Sequence, residues 1–167
     1  MELKQFFLEQ LEAEAVSCRK VLERTPEGCN SWKPHPRSME LGYLASLVAT
    51  MPGWVAMIIQ HEVTDIDGAD AGLRTRSVDS RAELLRLLDE GLSKSRRALE
   101  RTTEEHLMKP WALKMGGQIL TEGPRYSQLR EGTLSHLAHH RGQLTVYLRL
   151  LDAKVPAIYG PSADEMH

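Results

Sequence analysis

Of seven histidines in 167 residues, three fall in the run His136-Leu137-Ala138-His139-His140-Arg141-Gly142-Gln143. His136 and His140 are four apart. On a helix that spacing puts both rings on one face, one turn above the other. Two imidazoles so placed can grip one divalent ion. Gln143 lies on nearly the same stripe, while His139 is displaced to one side, as a supporting group or a surface residue. Arg141 reads as an ordinary solvated or salt-bridged arginine. Gly142 in mid-helix costs roughly 1 kcal/mol relative to Ala, so its placement points to close helix packing or to room for a ligand. Histidine pairs at this spacing also occur by chance on many helices, and the pair by itself selects no metal.

The elements that carry these residues read as helices almost throughout. Leu3, Phe6, Phe7, Leu11, Ala15, Cys18 and Leu22 recur at spacings of three and four and predict a first helix, ended near Thr25-Pro26-Glu27-Gly28. Ser38 is expected to cap a second helix that runs through Leu41, Leu44, Val48 and, beyond Pro52, to Ile59. Pro52 should kink that helix or split it. Residues 64–78 are Asp/Gly-rich and read as a long connection. Asp79-Ser80 with Glu83 resembles a capping box in front of a third helix, to about Thr102. From Lys109 to Gly123 the pattern alternates about Gly116-Gly117, as in a short hairpin or irregular loop. A last long helix starts at Pro124 and carries the histidine cluster.

Four long helices in one domain spanning residues 1–167 predict an all-α fold, an antiparallel four-helix bundle. Lys and Arg total 21 against 23 Asp and Glu, a formal charge of −2, so nothing electrostatic draws the chain to nucleic acid or an anionic membrane. The apolar stretch Leu41 to Ile59 is broken by Gly42, Ser46, Pro52 and Gly53 and reads as a buried helix, not a membrane span. The N-terminus lacks a secretory pattern, so the expected compartment is the cytoplasm. Cys18 and Cys29 are too few for a disulfide scaffold, and Cys18 falls on an apolar stripe.

The combination of motifs resembles the DinB/YfiT-like superfamily. The His-x-x-His-His-Arg-Gly-Gln run is followed by Tyr147-Leu148-Arg149 and by Val155-Pro156-x-Ile158-Tyr159-Gly160-Pro161-Ser162-Ala163-Asp164-Glu165. Upstream, Trp32-Lys33-Pro34-His35-Pro36-Arg37-Ser38-Met39 leads to Leu41-Gly42 and to Pro52-Gly53-Trp54, which look similar too. The resemblance implies a divalent metal, zinc or nickel, held on the inner face of the bundle by three histidines. The pair from the last helix carries over onto His136 and His140. The third ligand, from the second helix, falls where this sequence has Leu47, so the set is one ligand short. His35, Glu40 and His106 are formal replacements that no spacing selects, and His61 lies 14 residues beyond Leu47, or about 21 Å along an unbroken helix.

Some relatives of this kind are metal-dependent transferases or isomerases acting through a low-molecular-weight thiol. For this chain the resemblance implies, first, a protein with an incomplete metal site that binds a small molecule, such as a thiol, in a pocket near Leu47, His136, His139, His140, Arg141 and Gln143. The alternatives are a metal-dependent transferase or hydrolase that completes its shell elsewhere, and a non-enzymatic homodimer formed through helix faces.

Overall fold

The apolar stripe of the first segment forms α1, Leu3–Leu22, which buries Phe7, Leu11, Ala15, Cys18, Val21 and Leu22. The computed structural model describes residues 2–67 and 75–166. The expected cap at Ser38 is not made. Helix α2, Leu41–Thr50, starts after Glu40 without a side-chain cap, and Ser38 instead donates its backbone N–H to the His35 carbonyl at 2.9 Å. Pro52 does divide the second helix. Met51–Gly53 forms a 3-10 turn, and α3, Trp54–Gln60, follows it. Most of this apolar run is buried in the protein core.

The break at Pro52 is repaired from another helix. In a regular α-helix the Ala56 N–H would bond to the Pro52 carbonyl. The buried Ser95 hydroxyl sits between them instead, accepting from Ala56 N at 3.1 Å and donating to Pro52 O at 2.7 Å. Ser95 belongs to α4, Arg81–Arg101, whose first turn is capped by Ser80 accepting from Glu83 N at 3.2 Å. Helix α4 can approach this closely because Gly91 faces Gly53. A Cβ on Gly91 would stand 3.0 Å from the Gly53 backbone nitrogen. Helices α1, α2–α3 and α4 pack against one another, and the last helix closes the bundle against α1 and α2.

The protein is not all-α, which corrects the bundle-only expectation. Strands β1, Val63–Asp65, β2, Pro110–Met115, and β3, Gln118–Pro124, form a three-stranded mixed sheet in that order. Strands β2 and β3 are the hairpin about Gly116 and Gly117. Both glycines have positive φ, as a two-residue primed turn requires. Strand β1 adds to β2 in parallel, with Val63 opposite Ala112 and Asp65 opposite Lys114. The Asp65 carboxylate accepts from Gly117 N at 3.2 Å and so holds the hairpin tip to β1. Three residues are too short to show an alternating pattern, and their partner lies almost fifty residues away. The sequence therefore reads β1 as connection. The middle of that connection, residues 68–74, lies outside the described residues.

Helix α5, Glu104–Met108, precedes the hairpin, and α6, Arg125–Gln128, follows it. Two side chains tie this region to the exposed end of α3. Arg125, almost fully buried, donates to Ile58 O at 3.0 Å, His61 O at 2.9 Å and Pro110 O at 2.7 Å. His106 Nε2 lies 2.8 Å from Ile59 O. The last carbonyls of a helix lack internal partners, and these donors supply them. From α6 the chain continues through a π-helical stretch, Leu129–Ser135, into α7, His136–Leu150.

Candidate functional site

A cavity of about 320 Å³ lies between α2, α3, the sheet and the helical run from α6 into α7. Its walls are mainly apolar, with Leu47 from α2, Trp54, Met57 and Ile58 near α3, and Trp111 and Leu113 from β2. Thr75, Thr121, Gln128 and His136 are the polar side chains that reach it. Gln128, Gly132 and His136 are spaced by four and line one wall. In an α-helix such residues drift around the axis by about 40° per step. The wider i→i+5 turn of the π stretch turns less per residue and opposes that drift, keeping all three on the cavity.

His136 is exposed at the edge of the cavity, and His140 is buried behind it at 5 % exposure. The His140 Nδ1 lies 2.8 Å from the Gln143 carboxamide oxygen, and its Nε2 lies 2.8 Å from the His136 Nε2. An amide oxygen only accepts, so Nδ1 of His140 carries the proton and donates it to Gln143. Nε2 of His140 then accepts from Nε2–H of His136. Burial pushes the His140 imidazole below its ordinary range. The Gln143 hydrogen bond opposes that shift, and His136 and His139 add to it. The Trp54 ring stands 5.9 Å from the His136 ring.

The sequence-predicted residues thus divide into two groups. Leu47 and His136 line the cavity, with His140 and Gln143 directly behind His136. His139 is exposed, its ring 5.1 Å from that of His140. Arg141 is turned elsewhere. It is 1 % exposed, pairs with Glu14 of α1, approaches Cys18 Sγ at 3.6 Å and bonds the Tyr159 hydroxyl. It fastens the tail to α1. Burial pushes the Cys18 thiol beside it up to about 11, against the pull of Arg141. Gly142 meets no neighbour within 4 Å, so neither close helix packing nor a ligand cavity explains it.

The donor set does not complete a three-histidine metal group. The two Nε2 atoms converge, but they lie closer than the roughly 3.3 Å between ligand atoms of a tetrahedral zinc. Leu47, where the resemblance puts the third ligand, has no lone pair. Among the described residues no group of three His, Cys, Asp or Glu is arranged to hold a metal ion. His106 is engaged with Ile59 O, and His35 Nδ1 accepts from the Arg37 N–H at 3.2 Å.

Sequence reasoning missed Gln128, Trp111 and the π stretch. Extending the four-residue stripe back from His136 through Gly132 reaches Gln128. Trp111 reads from sequence only as a core or loop anchor, because its place on the cavity depends on the sheet.

The DinB family model matches residues 133–167, which hold the histidine pair, Gln143 and the tail. A DinB-like protein of Bacillus subtilis is 20 % identical and superposes with a TM-score of 0.67, covering 93 % of this chain and 99 % of its own. A DinB-like protein of Bacillus cereus is 21 % identical with a TM-score of 0.68, covering 92 % and 95 %. No curated protein matches the sequence. The chain therefore shares the fold of these DinB-like proteins over nearly its whole length and is similar in sequence to the DinB family over residues 133–167.

Proposed function

We propose that this protein binds a small, largely apolar molecule in the cavity beside His136, at a site that does not rely on a three-histidine metal. The cavity itself carries the reading. It is large enough for a ligand with a bicyclic ring system, its wall is built from Leu47, Trp54, Met57, Ile58, Trp111 and Leu113, and its polar groups are few. Small-molecule sites share this character, with apolar walls for affinity and isolated polar groups for orientation. The imidazole pair at the edge supplies one such group, held in a fixed tautomer by Gln143.

The test uses N-phenyl-1-naphthylamine, a neutral dye that fluoresces in apolar surroundings. Wild type should give a saturable rise at one equivalent. Met57→Trp, which fills the cavity from α3, should abolish the rise while the protein still unfolds cooperatively. An unsaturable signal, or an unchanged one in Met57→Trp, defeats the reading. The convergence of the two Nε2 atoms favours a second reading, a weak two-imidazole metal grip, which the substitution at Leu47 discussed below addresses.

A further inference from the structure

We infer that the ligand carries a neutral carbonyl or carboxamide group on an apolar body, and that Gln128 receives it. The inference rests on the pocket reading above and specifies the chemistry of the occupant.

Gln128 is 7 % exposed and forms part of the cavity wall. Its carboxamide is nearly idle. The oxygen has only a long contact with the Thr121 hydroxyl, at 3.4 Å, and the nitrogen has no hydrogen-bond partner among the described residues. The nitrogen is still reached by solvent, so water satisfies it when no ligand is bound, and a ligand that displaces that water must supply an acceptor in its place.

The surroundings of the amide leave it open. A Cβ on Gly123 would stand 3.0 Å from the Gln128 nitrogen, and one on Gly132 would stand 3.8 Å from its oxygen. A side chain at Gly123 would press on the carboxamide nitrogen, while one at Gly132 would stand at ordinary contact distance from its oxygen. Gly132, Thr121 and Gln128 all line the cavity, so the amide sits at its wall.

The same wall sets the charge of the ligand. No Lys, Arg, Asp or Glu lines the cavity among the described residues. The His136 Nε2 is occupied by His140. A carboxylate or an ammonium group would lose its water without gaining a counter-charge, which an apolar wall does not repay. A neutral carbonyl has no such penalty, and it accepts from the Gln128 N–H. A carboxamide does more, because its own N–H can donate to the Gln128 oxygen. The rings of Trp54 and Trp111 and the thioether of Met57 then pack on the apolar body, with a preference for an aromatic one.

Three congeners of one shape test this by calorimetric titration and thermal-unfolding shift: naphthalene, 2-naphthamide and 2-naphthoate. Wild type should bind 2-naphthamide about tenfold more tightly than either of the others, the scale of one recovered buried hydrogen bond. Gln128→Leu should erase that preference and leave naphthalene binding unchanged or tighter. Gln128→Met serves if the leucine variant does not fold, and the wild-type series stands without any variant. Equal affinity for naphthalene and 2-naphthamide overturns the inference, as does a preference that survives loss of the carboxamide. Tightest binding by 2-naphthoate overturns it in favour of an anion site. If none of the three binds while N-phenyl-1-naphthylamine still does, the inference falls and the pocket stands. If that dye fails as well, both fall.

Discussion

The Nε2 atoms of His136 and His140 face each other across 2.8 Å, a hydrogen bond between two imidazoles whose far side is held by Gln143. Leu47, 6 % exposed, lines the same cavity as His136, and the family resemblance assigns the third imidazole to its position. The pair is already oriented in the way that supporting hydrogen bonds orient metal-ligating histidines. A metal would need a third donor, and it would also have to part the two Nε2 atoms from 2.8 Å.

Leu47→His should therefore create a site. Zinc affinity of untagged protein, read by competition with a chromophoric chelator, should rise by about tenfold or more over wild type. His140→Ala in the same background should remove the gain. An affinity unchanged by Leu47→His would mean that α2 does not present position 47 to the pair, and would defeat the degenerate-site view.

Ser95 is the other position where one side chain decides a local structure. Its hydroxyl stands in for the helical bond between Ala56 N and Pro52 O, contacting both atoms together. Ser95→Ala leaves both backbone groups buried without that partner. The expected loss is about 1–3 kcal/mol of stability, measured by urea unfolding. A loss below about 0.5 kcal/mol would show that the two groups find each other or water once the hydroxyl is gone.

The tail should undock in acid. The Arg149 guanidinium, then the Val155 N–H, holds the Asp164 carboxyl below its ordinary range; the Ala157 N–H, then Arg24, does the same for Glu165. A group whose folded pKa is depressed stabilises fully above its unfolded value, about 4, and the contribution is lost as pH falls through the folded value. Amide protection at Val155 and Ala157, corrected for intrinsic exchange, should hold near neutrality and fall progressively below about pH 4. Asp164→Asn should lower protection at Val155 near neutrality, and the difference from wild type should close in acid. Protection that persists unchanged to about pH 3 would contradict this account.

The helices and the candidate pair were legible because both depend on short periods. The stripe of α1, the Ser80 cap of α4 and the division at Pro52 follow from residues within one or two turns of each other. The shared face of His136 and His140 follows from the same arithmetic. The DinB resemblance read from the motifs agrees with the matches in fold and over the last helix and tail.

The expected all-α bundle failed at β1, whose three residues carry no period of their own and pair with a strand that is distant in sequence. Arg141 failed as a cavity residue for a related reason. Helical spacing gives its angle around α7, but only the packing of α1 and the return of the tail decide that this angle meets Glu14 and Tyr159.

What the sequence by itself determined was local. It located the helices and the chemistry of the histidine pair, since each is a matter of residue type and spacing, while the missing donor at Leu47 is what the family resemblance implies. The tertiary structure decided what encloses the pair. The sheet brings Trp111 and Leu113 to the cavity, and the π stretch swings Gln128 and Gly132 onto the same wall as His136. Those placements depend on long-range strand pairing and on a change in helical pitch, and neither is written in the spacing of any short run of residues.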